Sequence, residues 1–286
     1  MPELPEVETI RRTLMRLIGL RKITNAAWTY EPILKTDSEK FKTVLIGQTF
    51  REFERRGKFL IFQLDTVSLV IHLRMEGKFF IKDPSCPLLK HEHVVFTLDN
   101  DSELRYHDTR KFGSMHLIES TCLHEVVRNT PISKLAKEPI DEGFSYKDIL
   151  TPLQRRSSAI KTALLDQTVI SGIGNIYADE ICFLSALHPQ TPCNRLTMEE
   201  IMRLSENSKI VLTKAIDLGG TTIRTYESVD GVHGRFQHEL MVHGRKNQPC
   251  RICETTVKKI VINGRGTYFC EKCQPLKTID VEKNMK

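Results

Sequence analysis

The sequence predicts an α+β protein of several domains, with an N-terminal helix, an antiparallel β-sandwich, a helical region and a cysteine-rich β-hairpin near the end. Apolar residues follow helical spacing at the start, and short β-rich runs fill residues from about 20 to 118. Four cysteines form two CxxC pairs late in the chain. A chain of 286 residues is long enough for two modest domains, each with its own hydrophobic core.

The first predicted element is an amphipathic helix over residues 3–18. Pro5 suits the first turn of a helix, as do the acidic residues Glu3 and Glu6, whereas Arg16 suits a later turn. We expect this helix to anchor the start of the chain against a core. Its apolar face is formed by Leu4, Val7, Ile10, Leu14 and Leu17.

Residues from about 20 to 118 contain short runs rich in β-branched and aromatic side chains, a pattern typical of antiparallel strands. The triplet Asp99-Asn100-Asp101 between two of these runs predicts a turn. We therefore expect a β-sandwich or a flattened barrel. The runs are KFLIFQL (58–64), SLVIHLR (68–74), GKFFI (77–81), HVVFTL (93–98) and ELRYHD (103–108).

Residues 146–218 show helical patterns. We predict one helix that opens at Pro152 and runs toward Gln167, a second over 175–184, and a long third over 197–218 that ends at two glycines. The glycine-rich segment 219–234 is expected to be a mobile loop. The predicted boundaries are 1–134 for the β-sandwich domain, 135–149 for a linker, 150–235 for the helical domain, 236–276 for the finger and 277–286 for a tail.

The eight cysteines are of two kinds. Four are scattered and are expected to be reduced thiols, whereas the other four form two CxxC pairs with sixteen residues between them. Each pair can place two thiolates on one tetrahedral zinc ion, and the Asn263-Gly264 turn signal predicts a hairpin that brings the pairs together. Four thiolates leave no open coordination position, so the zinc should be structural. Two disulfides are the alternative, which a reducing cytoplasm disfavours. The predicted ligands are Cys250, Cys253, Cys270 and Cys273.

The net charge of +6 is concentrated at one end of the chain. Residues 244–286 hold ten basic and four acidic residues, which leaves 32 of each in residues 1–243. A basic region of this kind is either a solvated surface or a contact for nucleic acid. No run approaches the roughly 18 apolar residues of a membrane span, and MPELPEVETIRR has no apolar signal-peptide core. We therefore expect a cytoplasmic, nucleoid-associated protein without a membrane partner.

The start of the chain holds the most reactive group that the residues alone suggest. If Met1 is removed, as a small second residue permits, Pro2 presents a secondary amine, and such an amine is partly neutral and nucleophilic at neutral pH. Glu3 beside it is a candidate proton donor or acceptor. On these residues alone, a Pro-Glu pair is more readily explained as the start of a helix. No P-loop or Rossmann glycine pattern stands out.

Six blocks resemble bacterial formamidopyrimidine-DNA glycosylases, in order and over essentially the whole chain. The resemblance implies a helix–two-turn–helix domain with a zinc-ribbon-like hairpin finger. It also implies a monomeric base-excision repair glycosylase and AP lyase whose partner is double-stranded DNA containing oxidised bases or abasic sites. The blocks are MPELPEVETIRR (1–12), RRGKFLIF (55–62), HLRMEGKF (72–79), HDTRKFG (107–113), SGIGNIYADE (171–180) and the C-x2-C-x16-C-x2-C finger with GRGTYFC.

The resemblance assigns chemical roles to four residues. Pro2 is similar to the Schiff-base nucleophile that displaces the damaged base, and Glu3 to the general acid/base at the deoxyribose. Lys58 resembles the lysine that contacts phosphate and assists proton transfer, although an exposed surface cation is the alternative. Arg265 matches the arginine that contacts DNA at the lesion and supports the second elimination.

Further residues match DNA contacts of the family. Met75, Arg110 and Phe112 match the trio that enters the duplex when the damaged nucleotide is extruded. Taken alone, Met75 and Phe112 are more typical of core residues, and Arg110 of a solvated one. His91, rather than His93, matches a phosphate contact.

In the helical domain, Asn175 matches a phosphate ligand, although its residue type is also explained by an N-cap. Arg156 and Lys161 align with basic residues that face DNA, and the segment 219–234 resembles a loop that closes over an oxidised purine. His243 is a departure, since the family usually has tyrosine there. A second departure is the run Arg155-Arg156-Ser157-Ser158, which replaces a lysine-rich one.

Two other interpretations remain open. An endonuclease VIII-type enzyme would prefer oxidised pyrimidines, but that branch typically has glycine where this chain has Leu4. A zinc-finger DNA-binding protein without activity is the other interpretation. The presence of Pro2, Glu3 and Lys58 together disfavours it.

Overall fold

The computed structural model describes residues 1–221 and 234–277, which divide into two compact units. Unit 1 combines Met1–Lys134 with Ala215–Gln237, and unit 2 combines Leu135–Lys214 with His238–Lys286. The predicted loop at 219–234 lies outside the described residues except at its two ends, as does almost all of the predicted tail. Within the described ranges, no helix has both the length and the apolar character that a bilayer crossing needs.

Unit 1 contains two four-stranded antiparallel sheets, which confirms the predicted sandwich. Its strands are β1 (Ile23–Trp28), β2 (Glu52–Arg56), β3 (Phe59–Gln63), β4 (Ser68–His72), β5 (Lys78–Lys82), β6 (Glu92–Leu98), β7 (Glu103–His107) and β8 (Ser114–Ile118). One sheet has the order β1-β6-β7-β5 and the other β2-β3-β4-β8. The five predicted runs form β3 to β7, whereas β1, β2 and β8 were not delimited from the sequence.

One hydrophobic core lies between the two sheets. Phe62 of β3 packs against Phe79 of β5 with ring centroids 5.9 Å apart, and Phe79 packs against Tyr106 of β7 at 5.3 Å. Both β3 and β4 are buried along their whole length. Their sequences therefore show continuous apolar runs, while a strand with one solvated face would alternate. Each buried aromatic or aliphatic side chain of this kind contributes roughly 1.5–3 kcal/mol.

Helix α1 (Leu4–Ile18) opens the chain, as predicted. Glu3 is its N-cap, and the Glu3 side chain accepts a hydrogen bond from the backbone N–H of Glu6. In return, the Glu6 side chain accepts one from the backbone N–H of Glu3 at 2.9 Å. The helix thus fixes two carboxylates at the start of the chain. Two short helices, α2 (Ser38–Leu45) and α3 (Leu123–Arg128), complete unit 1 and were not predicted.

The helices after the linker are α4 (Tyr146–Gln154), α5 (Ile160–Leu165), α6 (Asn175–Leu184) and α7 (Met198–Asp217). The predictions for α6 and α7 are confirmed, and Gly219, with φ +76°, follows the end of α7. The single helix predicted to open at Pro152 is wrong, because two short helices occupy that region and Pro152 lies inside α4. The helix starts earlier because Ser145 and Asp148 form a capping box that satisfies its first N–H groups.

The finger contains the predicted hairpin of β9 (Lys258–Ile262) and β10 (Arg265–Phe269). Asn263 and Gly264 form its turn with φ values of 47° and 73°, the left-handed conformations that a two-residue hairpin turn requires. Beside the hairpin, a small apolar cluster of Phe183, Val242 and Val257 packs around the cysteines.

Candidate DNA-processing site

The amino terminus is enclosed by unit 1. Pro2 and Glu3 are both buried, and Glu3 has 2% of its surface exposed. Burial lowers the pKa of the terminal amine on Met1, and the nearby charges of Glu3, Glu6 and Lys58 also act on that pKa. An amine at this end of the chain therefore interacts with the charges of three carboxylates, Glu3, Glu6 and Glu76, and of the Lys58 ammonium group, and burial favours its neutral form.

Lys58 lies between β2 and β3, directly after Gly57, whose φ of +57° allows the tight turn. Its side chain is buried, so the alternative of an exposed surface cation is wrong. Burial lowers the pKa of neighbouring His72 to about 3, with smaller contributions from the charges of Arg74 and Lys58. The Nδ1 atom of His72 accepts the Arg74 backbone N–H at 2.9 Å, so the neutral ring carries its proton on Nε2. Sequence reasoning missed His72, although the block HLRMEGKF begins with it.

A buried aspartate shapes the loop that carries Arg110 and Phe112. Asp108 is inaccessible to solvent and accepts hydrogen bonds from the backbone N–H groups of Arg110 at 3.0 Å, Phe112 at 3.0 Å and Gly113 at 2.8 Å. On this loop the Arg110 guanidinium lies over the Phe112 ring, 4.7 Å from its centroid. Phe112 is 54% exposed, so the alternative that it is a core residue is wrong.

The loop that carries Met75 is joined to this one. The Thr109 hydroxyl donates a hydrogen bond to the Glu76 carboxylate, and Met75 itself is half-buried. The three residues expected to enter DNA therefore lie on two loops in direct contact. This arrangement presents a thioether, an aromatic ring and a guanidinium from neighbouring loops.

The two histidines of the KHEH block have different environments. His93 is buried, and both its ring nitrogens are engaged, Nε2 with the carbonyl of Asp108 at 3.0 Å and Nδ1 with the hydroxyl of Thr29 at 3.1 Å. His91 is half-buried, and within the described part of the chain its Nδ1 has no hydrogen-bond partner. Because both ring nitrogens of His93 are already engaged, the geometry disfavours His93 as a ligand contact, whereas His91 keeps one buried nitrogen without a partner among the described residues.

In unit 2, Asn175 is the first residue of α6 rather than its N-cap, which is Gly174. The N-cap explanation of Asn175 is therefore wrong. Its Nδ2 donates instead to the carbonyl of Gly266 on β10 at 3.0 Å. Arg265, directly before Gly266, is exposed, and its guanidinium forms no hydrogen bond or ion pair with residues 1–221 or 234–277. That guanidinium can thus bind an external anion.

Lys161 does not face solvent, so the prediction that it contacts DNA directly is wrong. Its side chain is 1% exposed, and its Nζ lies 2.7 Å from Asp179 Oδ1. The same Nζ donates to the Gly266 carbonyl at 3.0 Å and to the Thr267 hydroxyl at 2.9 Å. Two of these contacts are hydrogen bonds and the third is an ion pair, and a charge this deeply buried requires such partners. Arg156, in contrast, is partly exposed and pairs with Asp166 at 2.8 Å.

The four predicted cysteine ligands converge, with all four Sγ atoms within 4.8 Å of one another. Cys253 Sγ lies 3.4 Å from both Cys270 Sγ and Cys273 Sγ, and Cys250 Sγ lies 3.9 Å from Cys273 Sγ. These distances exceed a disulfide bond of about 2.05 Å. They fit the sulfur–sulfur edge of about 3.8 Å expected for tetrahedral zinc with bonds of about 2.3 Å. The alternative of two disulfides is therefore wrong.

Family models match three segments of the chain. The formamidopyrimidine-DNA glycosylase N-terminal domain matches residues 1–115, and the formamidopyrimidine-DNA glycosylase H2TH domain matches residues 135–227. The zinc finger found in FPG and IleRS matches residues 247–276. The chain belongs to the formamidopyrimidine-DNA glycosylase family.

The similarity to individual family members extends over nearly the whole of this chain and of theirs. The formamidopyrimidine-DNA glycosylases of Oceanobacillus iheyensis and Listeria innocua are 43% and 44% identical, over 97% and 96% of this chain and 99% and 100% of theirs. Lactococcus lactis Fpg in complex with DNA containing an abasic site has a TM-score of 0.90 and 40% identity, covering 96% of this chain and all of the other. A point mutant of the same Lactococcus lactis protein, in complex with DNA containing Fapy-dG, gives the same values.

The zinc-finger match and the geometry of the thiols together identify the metal site. Cys250, Cys253, Cys270 and Cys273 hold one structural zinc ion. Four sulfur ligands close the coordination sphere, so the ion stabilises the finger and has no position at which to bind substrate.

Proposed function

We propose that this member of the family is a bifunctional DNA glycosylase and AP lyase that excises oxidised purines, such as 8-oxoguanine and formamidopyrimidines, from double-stranded DNA. The observation that supports it most directly is the burial of Pro2 and Glu3 at the amino terminus, where the charges of Glu3 and Lys58 act on the terminal amine. Curated relatives named formamidopyrimidine-DNA glycosylase, and Lactococcus lactis Fpg in complex with damaged DNA, support the same conclusion.

In the first step, the secondary amine of Pro2, released by removal of Met1, attacks C1′ of the damaged nucleotide. The new N–C1′ bond forms as the glycosidic bond breaks, and the base leaves with the bonding electron pair and takes up a proton. Loss of the amine proton and opening of the C1′–O4′ bond, with protonation of O4′, then give the iminium. Glu3 exchanges protons with the deoxyribose at this stage, and Lys58 neutralises phosphate charge and assists the transfer.

Two eliminations follow on the iminium. Loss of a C2′ proton breaks the C3′–O3′ bond, and a further proton loss from the conjugated sugar breaks the C5′–O5′ bond. Each departing oxygen belongs to a phosphate, so a one-nucleotide gap with phosphate at both ends remains. Hydrolysis releases the sugar fragment and regenerates the Pro2 amine. Arg265 binds DNA at the lesion and supports the second elimination through its exposed guanidinium.

Access to C1′ requires extrusion of the damaged nucleotide from the duplex. Met75 and Phe112 enter the space that the extruded base leaves, and Arg110 meets the unpaired partner base. Extrusion costs a few kcal/mol, which renewed stacking offsets. His91, Arg156 and Asn175 contact phosphates and hold the duplex in register.

Covalent trapping tests the proposal. Protein whose N-terminal mass confirms the loss of Met1 is incubated with borohydride and duplexes containing an abasic site, 8-oxoguanine or dihydrothymine. We expect trapped adducts with the first two, and loss of most glycosylase activity on 8-oxoguanine in Pro2→Gly, which retains DNA binding. Faster trapping on dihydrothymine would instead indicate an endonuclease VIII-type preference, and binding without any adduct would indicate an inactive DNA-binding protein. A Met1-bearing preparation that cleaves at the normal rate would show that Pro2 is not the nucleophile.

A further inference from the structure

A buried charged cluster lies under the hairpin strand that carries Arg265. Asp179 of α6 is inaccessible to solvent, and its Oδ1 pairs with Lys161 Nζ at 2.7 Å. Its other oxygen, Oδ2, lies 2.7 Å from His243 Nδ1 and accepts the backbone N–H of Tyr268 at 3.3 Å. One carboxylate thus connects α5, the segment that contains His243, and β10.

His243 is held on both its backbone and its side chain. Glu180, next to Asp179 on α6, accepts the backbone N–H of His243 at 2.8 Å. The His243 ring packs edge-on against Tyr268, with centroids 4.9 Å apart. Because Nδ1 faces a carboxylate oxygen, it carries the proton of that hydrogen bond. The imidazole is therefore oriented from three directions and keeps Asp179 in place.

The buried cluster is connected to Arg265 through the backbone of β10. The Gly266 carbonyl, directly after Arg265, accepts hydrogen bonds from Lys161 Nζ at 3.0 Å and from Asn175 Nδ2 at 3.0 Å. The position of Lys161 depends on Asp179, since a buried ammonium group and a buried carboxylate remain stable only in close pairing. A shift of Asp179 would consequently move Lys161, the Gly266 carbonyl and the residue that precedes it.

We propose that His243 and Asp179 are positioning residues for Arg265, acting through Lys161 and the backbone of β10. Lys161 thereby has a role without touching DNA: its charge holds the hairpin strand from inside unit 2. The inference rests on the proposed function, because the step it affects is the one assigned to Arg265, and it assigns nothing to the chemistry at Pro2.

The test compares two variants of His243. His243→Phe keeps a ring against Tyr268 and removes the donor to Asp179. His243→Asn is the matched control, because its side-chain amide restores a donor near the Nδ1 position. We expect His243→Phe to weaken abasic-duplex affinity and slow the second elimination by about threefold to tenfold. Zinc content and borohydride trapping at Pro2 should remain as in the unaltered chain. His243→Asn should recover to within about twofold. Asp179→Asn, of nearly the same volume, also removes the charge that pairs with buried Lys161, so its effect should have the same direction as that of His243→Phe and be at least as large.

The Arg265→Ala background separates positioning from general stability. If His243 acts through Arg265, His243→Phe should have no additional effect once Arg265 is absent, because both substitutions then remove the same contribution of Arg265. Equal effects in both backgrounds, or loss of zinc from His243→Phe and Asp179→Asn, would show a merely structural role and overturn the proposal. Normal second elimination in both variants would overturn it as well. Failure of the unaltered enzyme to trap an abasic duplex would count against the proposed function instead.

Discussion

The buried carboxylate of Asp108 accepts a hydrogen bond from the backbone N–H of Phe112 at 3.0 Å, and this contact shapes the exposed loop that carries both Phe112 and Arg110. Three loop N–H groups and the Tyr106 hydroxyl converge on this one side chain. Both carboxylate oxygens accept, and an amide in place of the carboxylate would turn a donor toward another donor. The buried side chain of Asp108 therefore determines the position of the exposed pair Arg110 and Phe112.

We predict that Asp108→Asn lowers the free energy of unfolding by about 1–3 kcal/mol, because one buried N–H loses its acceptor. Excision from an 8-oxoguanine duplex should fall more than cleavage at a preformed abasic site, since extrusion depends on this loop. Denaturant unfolding and single-turnover cleavage measure the two effects. The matched control is Asp101→Asn, at an exposed turn position where asparagine tolerates the positive φ of 57°. Unchanged stability of Asp108→Asn would contradict this account of the loop.

Replacement of Met75 by alanine should impair lesion extrusion more than binding to an abasic duplex. Only the first process needs a side chain to replace the lost stacking. Excision of 8-oxoguanine and affinity for an abasic duplex are measured in parallel. Met15→Ala, which shortens an exposed methionine on α1, provides the control and should change neither quantity. Equal losses by Met75→Ala on both substrates would identify Met75 as a packing residue.

Protonation of Glu8 should make the stability of the fold depend on pH. Its carboxylate contacts Arg11 at 2.8 Å, Arg12 at 2.8 Å and Arg55 at 3.2 Å. Burial by itself raises the pKa of Glu8, but hydrogen bonds from Arg11 and Arg12 and the charge of Arg55 outweigh it and lower that pKa to about 2. The folded pKa lies below the unfolded value of about 4.3. The stabilisation is therefore present above about pH 4.3 and is lost as the pH falls toward 2.

Accordingly, Glu8→Gln should lower the free energy of unfolding at pH 7 by roughly 1–3 kcal/mol, with the lower end favoured by partial solvent screening. The difference from the unaltered chain should shrink as the pH falls from about 4.3 toward 2. Urea unfolding at a series of pH values measures it, with exposed Glu39→Gln as the control. A difference that stays constant across this range would exclude Glu8 as the cause.

Removal of zinc should abolish duplex binding while unit 1, with Pro2, remains folded. Cys253→Ser or a chelator releases the hairpin and its Arg265. The net +6 of residues 244–277, which hold eight basic and two acidic residues, is then no longer presented in a fixed geometry. Arg265→Ala should retain one equivalent of zinc, weaken binding in part, and reduce the salt slope of log affinity by about 1. Metal analysis is combined with duplex affinity at two salt concentrations. Normal binding and cleavage by metal-free protein would contradict this role of the finger.

Local signals in the sequence were sufficient for much of the architecture. Apolar periodicity predicted α1, because a helix with one buried face must repeat its apolar residues every three or four positions. Helix start and stop signals, Asn175 for α6 and the pair Gly219-Gly220 for α7, predicted the other two. The Asn263-Gly264 pair predicted the hairpin turn, since few other residues adopt two consecutive left-handed conformations. The two CxxC pairs predicted the zinc ligands, because the ligands within a pair are close in the chain. Pro152 misled the prediction, since a capping box upstream determined where α4 begins.

By itself, then, the sequence determined the element types along most of the chain, the metal ligands and the family with its expected catalytic residues. Only the tertiary structure decided the burial and partners of the polar side chains. Lysine is usually a surface residue, yet Lys161 is buried inside unit 2. Its ammonium group donates to the carbonyl of Gly266, which lies more than a hundred residues further along the chain. Asp108 likewise owes its role to burial, and burial also lowers the pKa of His72. The physical reason is that the protonation and hydrogen bonding of an ionisable group depend on its desolvation and on partners that the fold brings from distant positions.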